Sequence, residues 1–296
     1  MSIYSLWGAL EIGLIFGLVA LGVLISFRLL RFPDLTVDGS FPLGGATAAT
    51  LISMGMDPFT STLVACAAGA VAGMITGWLN VKLKIMDLLA SILMMIALYS
   101  INLRIMGRPN VPLISEPTIF TVLQPEGATD YIMRPLILLV LVVAIKFILD
   151  WYFATKAGLA MRATGSNPRM ARAQGVATGN RILVGMGISN ALCALAGALF
   201  AQSQGGADIS MGIGTIVIGL AAVIVGESIM PSRKMAIITL AVIVGAVLYR
   251  FFIALALNAD FVGLKAQDLN LVTALLVTFA LVIPLLKQRL RGKKGG

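Results

Sequence analysis

The chain has no histidine, only two cysteines, and charge on just 12% of its 296 residues. Each shortage excludes something. Without histidine it lacks the side chain most used for proton transfer near neutrality and for metal ligation. Cys66 and Cys193 both sit in apolar runs with no further Cys or His at ligand spacing, so they read as small buried hydrophobes. A soluble domain carries roughly 25% charged residues, so this chain cannot coat itself in water. It also lacks a Walker A sequence, a Gly-rich loop between strand and helix, and any nucleophile beside a plausible base. The sequence offers no enzyme. If ATP is used, another polypeptide must hydrolyse it, and no cofactor site is expected on this chain.

What is abundant is apolar length. Hydrophobic residues make up 59% of the chain, and the mean hydropathy is +0.98. An all-α integral membrane protein follows. A helix needs about 20 apolar residues to cross the hydrocarbon core. Reading for such runs predicts nine spans: Leu6–Leu30, Val37–Met54, Phe59–Leu83, Asp87–Met106, Arg134–Phe153, Ile182–Gln202, Ser210–Ile229, Met235–Leu257 and Leu269–Leu286. The breaks carry turn chemistry, as in Asp57-Pro58 and Met230-Pro-Ser-Arg. The first run lacks a basic leader, contains Glu11 and stays apolar to Phe27, which reads as a retained span and not a cleaved signal peptide.

Charge sets the orientation. The net charge of +9 comes from 22 basic against 13 acidic residues. With residues 156–181 inside, the cytoplasmic set holds Arg28, Arg31, Lys82, Lys84, Lys156, Arg162, Arg169, Arg172, Arg181, Arg233, Lys234 and the basic C-terminal end. Only Arg108, Arg134 and Lys265 fall clearly outside. The positive-inside rule then puts the N-terminus outside and the C-terminus inside, as an odd number of spans requires. In this setting the basic excess belongs to membrane topology, and no nucleic-acid partner is implied.

Two predicted spans differ from the rest. The second begins with Asp38-Gly-Ser-Phe-Pro-Leu-Gly-Gly and the seventh begins with Asp208-Ile-Ser-Met-Gly-Ile-Gly. Both are short or interrupted, and they run in opposite directions. If spans 1–4 correspond to spans 6–9, the chain is an inverted repeat linked by span 5, and such segments point to a substrate path at the repeat interface. The alternative is that their glycines only permit close helix packing. On the first reading the glycine-rich starts of these two segments, Gly212 and Gly214 among them, face the path. Polar residues within spans are costly in lipid and face the protein interior or a wet cavity. Glu11, Asn80, Asn102, Arg104, Asn190, Glu227 and Arg250 are of this kind. Glu11, Asn102 and Arg104 lie near the outer ends of spans 1 and 4, where one outward cavity can hold them. The bland alternative is an ion pair between Glu11 and Arg104 that fixes helices. Glu227, close to Arg233 and Lys234, reads as structural or gate-related. Residues 107–130, with four prolines, form the longest outer loop.

The most distinctive stretch is residues 155–181, a polar, basic, Gly/Ala-rich island containing KAGLAMRATGSNPRMARAQGVATGNR and no acidic residue. It predicts a first helical part broken at Gly165, a cap at Ser166 or Asn167, Pro168 opening a second helix to Gln174, and Gly175 ending it. A short helix of this kind can lie beneath the membrane as a lever for a soluble partner, or bind lipid headgroups through its arginines.

GLAMRATGSNPRMARAQGV resembles the cytoplasmic coupling segment of permease subunits of branched-chain-amino-acid-type ABC importers, and the similarity runs over essentially the whole chain. Phe32-Pro-Asp-Leu-Thr-Val-Asp-Gly-Ser-Phe-Pro-Leu-Gly-Gly and Ala97-Leu-Tyr-Ser-Ile-Asn-Leu-Arg-Ile-Met-Gly-Arg-Pro-Asn resemble a subgroup paired with tryptophan- or tyrosine-type solutes. The resemblance implies a single transmembrane permease domain over residues 1–296 in a bacterial cytoplasmic (inner) membrane. It implies two cytoplasmic ATPase subunits, an extracytoplasmic solute-binding protein, a second permease copy and import of an amino acid or similar small solute. By that resemblance Met161, Arg162, Ala163, Gly165, Asn167, Arg169, Ala173 and Gly175 fall at the ATPase contact, and Asp38, Ser40, Phe41, Gly44 and Gly45 fall in the interrupted second span lining the path. The chain departs from the family pattern at Gly226-Glu227, where a double glycine is usual. An ion-coupled secondary carrier is the alternative, and it leaves the island unexplained.

Overall fold

The structure, a computed structural model, describes residues 3–124, 130–257 and 278. It is helical almost throughout: α1 (Ile3–Val23), running into a π-helical turn over Leu24–Leu29, then α2 (Val37–Ser53), α3 (Pro58–Val81) and α4 (Asp87–Met106). After a short strand β1 (Asn110–Pro112) come α5 (Ile119–Val122), α6 (Asp130–Ala154), α7 (Lys156–Ser166), α8 (Pro168–Ala173) and α9 (Thr178–Gln204). Strand β2 (Gly206–Asp208), α10 (Thr215–Ile229) and α11 (Met235–Leu257) follow.

Among the described residues, six helices are long and apolar enough to cross a membrane: Tyr4–Leu29, Pro58–Val81, Asp87–Met106, Ile132–Ala154, Thr178–Gln204 and Met235–Leu255. The chain is therefore an all-α membrane protein. Helices α2 and α10 fall short. At 1.5 Å per residue their 17 and 15 residues reach about 25 and 22 Å, less than the ~30 Å core. The predicted seventh span begins late because residues 209–214 form turns and not helix. The predicted span Leu269–Leu286 lies outside the described residues, Thr278 excepted, as do residues 125–129 of the outer loop.

Helices α1 and α9 form the centre and are mostly buried, whereas α4 and α6 expose most of their apolar side chains. Exposed Leu93, Ile96, Val140, Phe147 and Ile148 would be a liability in water and are the expected surface in lipid. Helix α2 packs against α9, α3 and α4, and α3 packs against α9. In the other half α10 packs against α11 and α1, and α11 packs against α1. Glycines set these distances. A Cβ on Gly44 would lie 1.8 Å from the Ala194 carbonyl oxygen, and one on Gly197 the same distance from that of Phe41. A Cβ on Gly226 would lie 2.2 Å from the Ala241 oxygen, and one on Gly245 the same from Ala222. Without a hydrophobic drive between helices in lipid, such backbone-to-backbone contact is what holds them.

The all-α expectation needs one amendment. β1 pairs antiparallel with β2, with Val111 opposite Ala207, so a two-stranded ribbon fastens the 107–130 segment to the α9–α10 connection. Thr118 caps α5 by accepting from Thr121 N, and Ile119 N donates to Gln202 Oε1 at 3.0 Å. The segment's backbone thus finds partners on α9 despite its prolines.

Candidate functional site

The polar residues of α2 and its approach are drawn into one buried chain. Pro33 ends the preceding segment, and Asp34 turns inward, where it is fully buried. Its Oδ1 accepts from Thr36 N at 2.9 Å, and its Oδ2 accepts from Asn190 Nδ2 on α9 at 2.7 Å. Asn190 Oδ1 accepts in turn from Ser40 Oγ at 2.7 Å. Thr36 and Thr76 hydroxyls meet at 3.0 Å, tying α3 to the same point. Burying these groups without partners would cost several kcal/mol, so the set fixes where α2 begins. Pro42 sits inside α2 without breaking it. Its missing N–H leaves the Asp38 carbonyl without the usual i+4 donor, a modest loss so near the helix start.

Asp38 reaches across to α10. Its carboxylate accepts from Ile216 N at 2.8 Å and Gly214 N at 3.3 Å. It thereby serves as the missing cap of α10, whose own N-cap, Gly214, has φ +80° and no side chain to offer. An anion there also meets the positive end of the helix dipole. Gly212 lets the turn approach: a Cβ on it would lie 2.1 Å from the Asp38 carbonyl oxygen. Phe41, fully buried, stacks on Phe16 at 5.7 Å and packs against Phe200 at 5.5 Å between ring centres. The guanidinium of Arg250 lies 4.2 Å from the Phe16 ring centre.

A cavity of about 550 Å³ opens beside this junction, between α2, α4 and the turn before α10. Pro42, Met95, Ile96, Ile209 and Ile213 form apolar wall, and Asp38, Tyr99, Ser100, Asn102 and Ser210 supply polar atoms. Asn102 Nδ2 donates to the Gly39 carbonyl at 3.1 Å. Its buried Oδ1 has no hydrogen-bond partner among the described residues. An acceptor beside the cavity is thus unused in this arrangement. Below Ser210, the Asp208 carboxylate accepts from Ser210 N at 2.8 Å and from Ser210 Oγ. Those bonds hold its carboxyl below the usual aspartate range.

Of the residues expected on the path, Asp38 and Asn102 line this cavity, and Gly212 and Gly214 shape the turn beside it. Ser40, Phe41, Gly44 and Gly45 lie behind it in the α2–α9 packing: Ser40 on Asn190, Gly44 on Ala194, and Gly45 against Met211. Glu11 is elsewhere. Its Oε1 accepts from Ser203 Oγ at 2.6 Å, and Arg104 stays exposed on α4, so the expected Glu11–Arg104 pair does not form. Glu227 also takes a different partner than its sequence neighbours suggest, pairing with Arg28 Nε at 2.8 Å. Sequence reasoning missed Asp34, which reads as a turn residue after Pro33. Asn190 was legible as a costly intramembrane amide but not as its partner.

The basic island folds as two helices. Thr155 accepts from Gly158 N to start α7, and Asn167 accepts from Met170 N at 3.1 Å to start α8, choosing between the two expected caps. Gly175, at φ +81°, ends the turn after α8. Met161 and Gly165 face inward. A Cβ on Gly165 would lie 1.7 Å from the Leu29 carbonyl oxygen, and Met161 packs beside Leu30 and Gly185. Ala163, Asn167, Arg169, Ala173 and Gly175 face out with Met170 and Arg172, and Arg162 is half-buried. Together they make an exposed basic surface with an apolar residue, Met170, at its tip.

Comparison with known proteins bears on what this arrangement serves. The profile of the family described as branched-chain amino acid transport system / permease component matches residues 6–286. The tyrosine transport system permease protein of Clostridioides difficile (strain R20291) is 39% identical over 265 residues, covering 89% of this chain and 86% of that protein. Protein RP368 of Rickettsia prowazekii (strain Madrid E) is 38% identical over 222 residues, 75% and 76% of the two chains. The ribose import permease protein RbsC of Escherichia coli (strain K12) is 24% identical over 262 residues, 86% and 78%. No solved structure matches.

Proposed function

The chain belongs to the branched-chain amino acid transport system permease family, and we propose that it is the membrane path of an ATP-driven, binding-protein-dependent importer for an aromatic or similar apolar amino acid. The observation that carries this reading is the docking geometry of α7 and α8. An outward basic surface is seated, through Gly165, directly on the π-helical turn that continues α1. A helix so placed transmits a push, and a lipid-binding helix has no need of such a contact.

In this reading residues 1–296 form one permease domain, 155–181 the cytoplasmic coupling segment and 107–130 an extracytoplasmic loop that receives the binding protein. The N-terminus lies outside and the C-terminus inside a bacterial inner membrane. ATPase subunits dock on Met161, Arg162, Ala163, Gly165, Asn167, Arg169, Ala173 and Gly175, and ATP acts only through them. A second copy of the chain completes the conduit, with lipid around the rim. Contacts among the described helices support the inverted repeat within this nine-span reading: exchanging α1, α2 and α3 for α9, α10 and α11 maps the α3–α9, α2–α9 and α2–α3 packings onto α11–α1, α10–α1 and α10–α11. The two short helices exchange with each other, and residues at their junction, Asp38, Asn102, Gly212 and Gly214, line the solute's route.

The cavity supports the solute class. Apolar walls suit an aromatic or aliphatic side chain better than a sugar, whose many hydroxyls need partners. The free Asn102 acceptor suits an ammonium, phenol or indole donor. The similar C. difficile protein is a tyrosine transport permease by name. The test is affinity purification of the chain with its partners. A P-loop ATPase should accompany the wild type and be lost from Arg162→Glu/Arg169→Glu. A chain that purifies alone and moves solute without ATP would overturn the reading.

A further inference from the structure

The short helix α10 is held at both ends by side chains of the other half of the chain. At its start the Asp38 carboxylate of α2 accepts from Ile216 N and Gly214 N. Near its finish Glu227 pairs with Arg28 of the π-helical turn. The two holds differ in kind. Asp38 sits where the helix dipole welcomes an anion, whereas Glu227 lies near the end that repels one. Arg28 offsets that repulsion, donating from its Nε to Glu227 Oε1 at 2.8 Å. The pair is partly exposed, with side-chain exposures of 60% and 31%. Pairs in such settings are individually weak, which suits a contact that is made in one state and broken in another.

Arg28 also stands where the coupling segment bears. The carbonyl of its neighbour Leu29 is the atom that Gly165 of α7 approaches, and Leu30 packs on Met161 and Gly185. The backbone here is not ordinary helix: Leu24–Leu29 is a π turn, and Arg31 has φ +56°. π turns inside helices concentrate at functional positions, and left-handed backbone at a non-glycine residue stores strain. A contiguous line of contacts thus runs from α7, through Leu29 and Arg28, to Glu227, along α10 to Gly214, and on to Asp38 at the cavity.

We propose that Arg28 and Glu227 are the positioning residues that couple the cytoplasmic segment to the transport path, with α10 as the rod between them. Displacing α7 shifts the π turn, the Arg28–Glu227 pair carries that shift to α10, and α10 moves its capped end at Asp38 against the cavity. The inference rests on the importer reading above and adds the residues through which the ATPase acts on the solute.

The test uses the full complex of permease, ATPase and binding protein in proteoliposomes, reading solute uptake and ATP hydrolysis separately. Arg28→Glu, which places two acids together, should lower uptake per ATP by about tenfold while hydrolysis continues and the complex stays assembled. Glu227→Arg should do the same. The swap Arg28→Glu/Glu227→Arg should recover at least half of the wild-type ratio, a rescue that separate roles for the two residues would not produce, while the retained hydrolysis and assembly of the single variants set coupling apart from mere folding. Wild-type coupling in both single variants overturns the proposal, and so does a swap no better than either single change. The Arg28→Cys/Glu227→Cys pair keeps the test open if the reversals fail to assemble. Its cross-linking yield should change several-fold between nucleotide-free and ATP-bound complex, and an unchanged yield counts against a moving contact. Failure of the importer reading itself would appear earlier, as wild-type uptake that needs no ATP.

Discussion

Among the described residues, helices α2 and α10 are the two packed in the bundle that fall short of the membrane's thickness, and their surroundings differ in a way that teaches what each is for. Helix α2 is buried on nearly every side. It is clamped to α9 by Gly44 and Gly197 and locked at its start by the Asp34–Asn190–Ser40 chain. Helix α10 has close glycine contacts to α11 through Gly226 and Gly245, and among the described residues its side-chain ties to other elements lie at its two ends. Its ends depend on Asp38 and Arg28 from elsewhere. Helix α2 therefore reads as a fixed wall and α10 as a part held only by its neighbours and its two charged ends.

The sharpest way to break this contrast is to thicken the wall. Gly44→Val or Gly197→Val places side-chain atoms inside a carbonyl oxygen's radius and should abolish folded, detergent-stable protein, as monodispersity on size exclusion would show. Next, Asn190→Ala leaves Asp34 and Ser40 without their shared partner in the interior. Each stranded group costs about 1–3 kcal/mol, so the melting temperature should fall by several degrees and uptake with it. Asp38→Ala removes the borrowed cap of α10, worth about 1 kcal/mol. It should lower stability less than Asn190→Ala does while lowering uptake at least as much, because α10 loses its tie to the cavity. Equal damage to stability from the two would erase the proposed distinction between wall and moving part. The smallest effect belongs to Gly8→Ala, where a Cβ would meet nothing within 4 Å. Its change should stay within about 0.5 kcal/mol and leave uptake intact.

Much of this was legible in the sequence. Apolar length predicted the long helices, and Asp57-Pro58 predicted the start of α3, whose cap accepts from Phe59 N and Thr60 N. The GSNP stretch predicted the α7–α8 break. Those features are local, set by hydropathy, caps and proline. What was not legible depends on distance through the fold. Nothing in the order of residues brings Glu227 to Arg28, 199 positions away, in preference to Arg233. Glu11 has an arginine within reach of the imagination, yet it takes the serine that α9 presents. The β1–β2 ribbon was equally hidden, because each strand has only 3 residues and neither carries a strand pattern of its own.

The most direct test of the central claim is uptake of labelled tyrosine into proteoliposomes that hold the chain, its ATPase and its binding protein, with Ile213→Cys placed in the cavity wall in a Cys66→Ala background. The account predicts uptake only with ATP and binding protein, block by a thiol reagent at position 213, and protection from that block by the solute. Uptake without ATP, or uptake indifferent to modification at position 213, would contradict it.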